Sequence, residues 1–465
     1  MNNIYLFDTY KKKEVKFIPL KRGVIKMYHC GPTVYDYPHI GNMRAYVTAD
    51  LLRRVFEFNG YKTKQVINIT DVGHLTSDAD SGEDKIEKKA KKEKKSAYEI
   101  SMFFFGIFKK YIKLLNIKTP HSWTMATDFI SEQISLIKKM EKKGFTYKTS
   151  DGIYFNTKKL KSYNKILSSY KNSIKPGKRI GINKEKQNPN DFALWKFSPL
   201  GKKRQMEWNS PWGVGFPGWH TECIAMIIKE LGNEIDVHTG GEDHIFIHHP
   251  NEIAQSEAVN NKNISRYWVH TSFLKKGDKK ISKSRGKLIT LDDVIKKGLN
   301  PLSLRYLFLT SRYQSPLNFT WESLKAANNA LNKLQQESSR LRSNLEKSYN
   351  KTALKIFIKK INNDLNMPEA IAFVWKFIHS NTSEDVKRST LKEFDKVLGL
   401  DLFSAQINNI IPDKIIKLSQ KRDKLRQEKK WKEADEIRIS INKLGYDLKD
   451  KLNKTEIVKN LTYSD

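Results

Sequence analysis

Apolar residues run almost unbroken through Val24-Ile25-Lys26-Met27-Tyr28, the pattern of a buried strand. After a loop holding Gly31 and Pro32 they return at Val47, Leu51, Val55 and Phe58, one face of a helix that Gly60 stops. A second strand pattern follows at Gln65-Val66-Ile67-Asn68-Ile69-Thr70. Strand, helix and strand in this order build a parallel pair joined by a right-handed crossover. From about Ser81 to Leu115 the pattern is helical and lysine-rich, and from about Lys118 to Leu200 it is irregular, including the Gly- and Lys-bearing stretch Lys175 to Pro189. That irregular stretch reads as an insertion. Parallel-sheet signals resume at Glu234-Ile235-Asp236-Val237-His238, ending in Gly240 and Gly241, and at Tyr267-Trp268-Val269-His270, before a loop containing Lys279 to Gly286. One sheet assembled from separated segments is therefore expected. Beyond Asp292 the chain reads as almost all helical, with charged amphipathic repeats from Lys414 to Asn442 closed by Gly445, and no fixed-period repeat is evident.

The chain has 465 residues, more than one hydrophobic core usually supports, so two to four domains are expected. Its longest aromatic-rich apolar stretch, Met102 to Phe108, is far too short to cross a bilayer. The N-terminal run MNNIYLFDTYKKK has neither a continuous apolar region nor a small-residue cleavage site, so a cytoplasmic protein is expected. Lys and Arg number 85 against 51 Asp and Glu, a net charge of +34 that attracts polyanions and makes nucleic acid a leading partner. Cys30 and Cys223 stand 193 positions apart, and in a reducing compartment a disulfide between them is not expected.

Three groups of residues carry chemistry. His39-Ile40-Gly41-Asn42 sits where the first strand passes into its helix, where free backbone N–H groups and the positive helix end favour phosphate oxygens. Lys280-Ile281-Ser282-Lys283-Ser284, between a late strand and the helix beginning near Leu291, offers two ammonium groups and two hydroxyls to a charge-developing triphosphate. Cys223 is followed 25 residues later by His248 and 29 later by Glu252, whose i, i+4 spacing puts them on one helix face if Pro250 opens a helix. Cys30 closes the first strand. Should both strand ends meet at the carboxyl edge of the sheet, two thiolates, an imidazole and a carboxylate suit Zn²⁺ in hardness and number. His249 adjoins His248, and spacing alone leaves the choice between them open.

Cys30-Gly31-Pro32-Thr33-Val34-Tyr35-Asp36, His39-Ile40-Gly41, Pro217-Gly218-Trp219-His220, Glu222-Cys223, His248-His249, Asn251-Glu252 and Lys280-Ile281-Ser282-Lys283-Ser284 together resemble the cysteinyl-tRNA synthetases. Asn68-Ile69-Thr70-Asp71, Asp191 to Lys196 and the Ala434-Asp435 to Gly445 region extend the resemblance over essentially the whole chain. It implies an α/β fold: a class I Rossmann-type parallel-sheet catalytic domain with an inserted subdomain, then an α-helical bundle and a small C-terminal domain. The implied divisions are a catalytic domain in two parts (1–117 and 201–291), an insert (118–200), a stem-contact region (292–345), a bundle (346–400) and an anticodon-binding domain (401–465).

The resemblance also implies one zinc ion held by Cys30, Cys223, His248 and Glu252, a cysteine pocket bordered by Thr70, Trp219 and His238, and ATP, with Mg²⁺, contacted by His39, Gly41, Asn42, Gly241, Asp243, Lys280 and Lys283. Of these, His39, Asn42, Lys280 and Lys283 are expected to serve adenylate formation. The partners implied are L-cysteine, ATP and tRNA(Cys), with a monomeric enzyme and no membrane. A metal-held thiolate explains selection against serine, whose hydroxyl resists ionisation, so no editing domain is needed. Two departures stand out: Asn42 replaces the family's usual His at the end of the first motif, and Ile281 replaces Met in the second. Asn donates a hydrogen bond and caps helices well but carries no positive charge. Two other readings share parts of the pattern. A ligase joining cysteine to an amino sugar would use the same adenylate and zinc chemistry but has no need of the basic helical region beyond Asp401, and an RNA-binding paralogue without activity would have no need of the full metal set and both motif lysines.

Overall fold

The computed structural model describes residues 2–72, 75–77, 81–168, 183–199, 201, 204–277, 279–280, 288–342, 348–403, 413–451 and 454–459. At its centre is a five-stranded parallel sheet made of β1 (Val24–His29), β2 (Lys62–Ile69), β3 (Ser122–Met125), β4 (Ile235–Gly241) and β5 (Ser265–Thr271). The spatial order is β5-β4-β1-β2-β3, every pair parallel. β1 therefore has the next strand in sequence on one side and a strand from the far end of the domain on the other. In an open α/β sheet the crevice beyond the carboxyl ends at such a reversal is where ligands bind. Ile25, Met27, Val66, Ile67, Val237 and Trp268 are all buried, which is why these strands read as continuous apolar runs and not as alternating ones.

Helix α1 (Ile40–Phe58) crosses over between β1 and β2, ends at Asn59 and is followed by Gly60 at φ +87°. Its buried side includes charge as well as hydrocarbon. Asp50 accepts from Arg54 Nε at 2.7 Å, Arg305 Nη2 at 2.6 Å and the Lys118 amide at 2.9 Å. Arg305, on helix Pro301–Leu309, also donates to Leu398 O at 2.7 Å and Leu115 O at 3.1 Å, and Arg54 donates to Lys396 O at 2.9 Å. One carboxylate thus joins the sheet domain to two downstream helices. Arg44, buried on the same helix, donates to Ser272 O, Arg312 O and Ser315 O and ties α1 to the segment that leaves β5.

Several expectations need correction. Ser81–Asp84 pairs as a strand with Leu75–Ser77, and helix begins only with α2 (Lys85–Glu93) and α3 (Ala97–Leu114). The stretch from Lys118 to Leu200 is largely regular where it is described. It opens with β3, an edge strand of the main sheet, and continues through α4 (Ile130–Lys142) into an antiparallel sheet of Thr146–Thr149, Gly152–Phe155, Phe192–Phe197 and Gly215–Pro217. The inserted sheet thus runs past Leu200. Most of these strands are only three or four residues long, too short for periodicity to register. The helical reading beyond Asp292 also misses the hairpin Tyr446–Lys451 with Lys454–Lys459, which follows Gly445 at φ +83°. That hairpin shares a separate small core, Ile415, Ile441, Tyr446 and Leu448, with helices Asp413–Gln427 and Trp431–Lys443. Lys175, Lys283 and their neighbours lie outside the described residues. Among the described residues no helix is long and apolar enough to cross a membrane.

Removing one partner of a buried ion network leaves the others unpaired at a cost of about 3–5 kcal/mol. Asp50→Ala is therefore expected to lower the urea midpoint of the main domain sharply, whereas Asp447→Ala, in the separate C-terminal unit, should leave that transition in place. A second test concerns pH. Although burial opposes it, hydrogen bonds from Lys118, Arg53 and Thr63 draw Glu57 down to about 2. A carboxyl lowered on folding stabilises the fold above its unfolded pKa of about 4.3 and loses that contribution as pH falls through the folded value. Glu57→Gln should flatten the stability profile between about pH 4.3 and 2, read by urea unfolding at each pH.

Candidate functional site

The loop leaving β1 is held tightly against β2. Gly31 donates to Asn68 Oδ1 at 2.7 Å, and a Cβ on Gly31 would fall 1.4 Å from Asn68 O, so only glycine fits. This approach fixes Cys30 at the carboxyl edge of the sheet. Cys223 comes from α5 (Trp219–Leu231), while His248 and Glu252 come from the first turns of α6 (His248–Asn260), with Pro250 in the opening turn. His238 and Gly241 lie on β4, and Asp243 lies in the 3₁₀ turn Glu242–Phe246. Cys30, Cys223, His238, His248, His249 and Glu252 are all buried.

Two overlapping donor sets converge there, each with its ligand atoms within 4.8 Å of one another: Cys30, Cys223, His248 and Glu252, and Cys30, His238, His249 and Glu252. His248 Nε2 lies 3.3 Å from Cys223 Sγ and 2.8 Å from Glu252 Oε1, and His249 Nε2 lies 3.2 Å from Cys30 Sγ. Both adjacent histidines thus face the cluster, and it is His248 that reaches the set containing both thiols. His238 Nε2 and Glu252 Oε2 are 2.7 Å apart yet out of hydrogen-bond alignment, and both atoms are buried without another partner among the described residues. Donor atoms crowded this closely, two of them without any hydrogen-bond partner among the described residues, fit a cation. Two sulfurs, a nitrogen and a carboxylate oxygen match the ligand preferences of Zn²⁺.

The electrostatics agree. Against burial, the Cys223 hydrogen bond and the imidazoles of His249, His244 and His248 pull the Cys30 thiol well below its usual range, while burial and the Cys30 sulfur push Cys223 up. Burial disfavours a proton on His248, but Glu252 and Cys30 outweigh it and push the ring up to about 10. A proton on His248 therefore occupies the place that the neighbouring negative charge reserves for a positive one. Burial, helped by the neighbouring His238 ring, outweighs Cys30 and Glu252 at His249 and takes it the other way, to about 4.

Sequence reading missed the supports of this cluster. His249 Nδ1 lies 2.7 Å from His270 Nε2, and His270 Nδ1 lies 2.8 Å from Thr9 Oγ1, a chain from the thiol out to the N-terminal segment. His220 Nδ1 is 2.9 Å from His248 Nδ1, and Trp219 stacks on His248 at 4.3 Å. Six of the eleven histidines fall between Trp219 and Thr271, a clustering that was legible in the sequence. His238 stacks on Trp268 at 4.6 Å. Thr70 is buried at the end of β2, bridged to Thr33 across the Cys30 loop.

The other edge of the crevice is the N-terminus of α1. His39 caps it: its Nδ1 accepts from the Asn42 amide at 3.2 Å, and Asn42 Oδ1 accepts from the His39 amide at 3.3 Å. With Nδ1 as acceptor, the neutral ring carries its proton on Nε2. The Asn42 carbonyl is thus spent on the cap, and its side chain stands exposed. Gly41 lies within the same turn, where a Cβ would come within 3.0 Å of the His39 ring. Ile40 N donates to Ile289 O at 2.9 Å, and His39 bridges Thr290, the cap of helix Leu291–Lys296. Lys280 pairs through its backbone with Lys275. The chain that follows the second motif is thereby anchored at the α1 N-terminus, while Lys283 itself lies outside the described residues.

Residues 16–329 match the family of tRNA synthetases class I (C) catalytic domain. Over 453 residues the chain is 43% identical to cysteine--tRNA ligase 1 of Burkholderia lata, covering 96% of this chain and 94% of that protein. It is 38% identical to the cysteine--tRNA ligase of Treponema denticola, covering 97% and 99%. The fold resembles a Mycobacterium tuberculosis methionyl-tRNA synthetase solved with methionyl-adenylate, at a TM-score of 0.55 and 14% identity over 81% of this chain and 90% of that one.

Alanine at Cys30, Cys223 or His248 is expected to weaken zinc retention by at least about 100-fold, and His270→Ala, which acts through His249, by only about tenfold. Competition with a chromophoric chelator measures both. Full retention by the Cys223 variant would place the ion in the other donor set.

Proposed function

We propose a reaction cycle from one premise: the chain belongs to the cysteine–tRNA ligase family of class I tRNA synthetases. The chain is a ligase that uses ATP to join L-cysteine to tRNA(Cys). The observation that carries the finer reading is the buried cluster of two thiols, an imidazole and a carboxylate beside the capped end of α1. In this reading Cys30, Cys223, His248 and Glu252 hold one Zn²⁺. Bound there, zinc lowers the pKa of a substrate thiol and favours its thiolate over a neutral hydroxyl.

The protein's own groups do the rest by placement. The carboxylate of cysteine attacks the α-phosphorus of ATP and pyrophosphate leaves, giving cysteinyl-adenylate. A terminal ribose hydroxyl of the tRNA then attacks the activated carbonyl, AMP leaves, and the amino acid is esterified to RNA. No protein nucleophile enters either step. His39 presents Nε2–H toward phosphate oxygens from the N-terminus of α1, where unpaired amides and the helix dipole add to its donor. Asn42 holds that imidazole in its donor tautomer through the mutual cap, so a capping amide replaces a second charge. Gly41 keeps the turn open beside the ring, and Gly241 and Asp243 border the nucleoside. Lys280 and Lys283 stabilise charge on the departing pyrophosphate, whose Mg²⁺ arrives with ATP. Thr70, Trp219 and His238 line the cysteine pocket. We assign residues 292–345 to the tRNA stem, 346–400 to a supporting bundle and 401–465 to the anticodon, the last with its own core, and expect a cytoplasmic monomer.

Pyrophosphate exchange tests the reading. Zinc-loaded protein should exchange with cysteine and discriminate against serine by about 10⁴ or more, and chelation should abolish exchange. Charging of total tRNA should accompany it. Exchange without charging would instead indicate a small-molecule ligase. His39→Asn should cut kcat by about 10²–10³, as loss of a preorganised donor does, with Asn42→Ala costing less.

A further inference from the structure

Glu222 is wholly buried on α5, one residue before Cys223, and neither carboxylate oxygen has a hydrogen-bond partner among the described residues. Around it lie Asp71, the hydroxyl of Thr70, His248 and Asp84. Among the described residues the cationic groups of that neighbourhood face other partners: His248 faces Cys223 and Glu252, and Arg204 lies 3.4 Å from Asp84 and 3.2 Å from Glu87. Asp71 is itself satisfied, accepting from the Thr127 amide at 3.0 Å and its hydroxyl at 2.6 Å. No aligned hydrogen bond from the Thr70 hydroxyl reaches the Glu222 carboxylate. Thr70 Oγ1 accepts from Asn68 Nδ2 at 3.2 Å, which leaves its own proton to be donated elsewhere.

A buried carboxylate without a cation or a donor is costly and is retained where a ligand completes it. Cysteine supplies the missing group. Its sulfur and its ammonium nitrogen are separated by three bonds, so a thiol drawn to the Cys30–Cys223–His248 cluster carries a positive charge to within a few ångströms of it. Glu222 borders that cluster through its neighbour Cys223 and through His248, and Thr70 lies near it as well.

We propose that Glu222 recognises the α-ammonium group of the amino-acid substrate, with the Thr70 hydroxyl beside it. The proposal rests on the cysteine-activating reading above and adds to it the second anchor of the substrate: sulfur at the metal set, ammonium at Glu222. With both ends held, the carboxylate of cysteine is left as the only polar group free to turn toward ATP. The site then distinguishes cysteine from other small thiols by charge as well as by sulfur.

The test compares two ligands that differ only in the amine. KM for cysteine in pyrophosphate exchange, and the inhibition constant of 3-mercaptopropionate, which keeps the thiol and carboxylate but lacks the ammonium, are measured for the wild type and for Glu222→Gln. Zinc content is measured beside them. Loss of a charged hydrogen-bond partner should raise KM for cysteine about 10- to 100-fold while the inhibition constant for 3-mercaptopropionate stays within about twofold. Equal weakening of both ligands would show a structural role and overturn the proposal, as would no change in either. If Glu222→Gln fails to retain zinc, Thr70→Val replaces it, with the same split expected and the same outcomes decisive. Absence of cysteine-dependent exchange in the wild type would overturn the underlying reading, and the proposal with it.

Discussion

Everything at the functional end of this molecule follows from placing two thiols, a carboxylate and several imidazoles together in full burial. Unpaired polar and charged groups removed from water cost several kcal/mol each, and among the described residues no lysine or arginine is in close contact with this cluster. The sheet makes the convergence possible, because β1 pairs with β4 on one side and β2 on the other, bringing Cys30, His238 and Thr70 to one edge. The helices α5 and α6 close it from the other side. A cation would relieve the crowding, and the histidines behind the cluster, His220, His249 and His270, brace it through ring contacts.

The second dependence is mechanical. In the proposed cycle adenylate formation needs the thiol–imidazole–carboxylate cluster and the capped turn of His39 in fixed register, and both hang on the ends of β1 and α1. Asp50, Arg54 and Arg305 lock α1 to the downstream helices, and Arg44 locks it to the segment leaving β5. Charged residues in a helix interior are usually solvated, but here they fasten the catalytic edge to the rest of the chain. The C-terminal unit, with its own small core, can vary independently of that edge.

How much was legible depended on how far each signal extended along the chain. The central strands announced themselves because burial on both faces forces continuous apolar runs, and Cys30, Cys223, His248 and Glu252 stood out because thiols are scarce and the i, i+4 spacing is geometric. β3 and the inserted antiparallel sheet did not, since strands of three or four residues flanked by lysines hold no full period. The C-terminal hairpin was hidden behind a convincing helical pattern that Gly445 ends. Spacing left His248 and His249 open and the resemblance pointed to His248; in the structure one ring turns to Cys223 and the other to Cys30. Glu222 stood in the Glu222-Cys223 motif without any role attached to it, because a carboxylate with no hydrogen-bond partner among the described residues is a feature of three dimensions only.

Zinc K-edge X-ray absorption on the zinc-loaded chain, with and without L-cysteine, tests the central claim most directly. The account predicts sulfur from both Cys30 and Cys223 together with lighter nitrogen and oxygen neighbours in the free protein. It predicts one further sulfur on adding cysteine and none on adding serine. A free protein showing fewer than two sulfur neighbours, or a sulfur count that cysteine leaves unchanged, would contradict it.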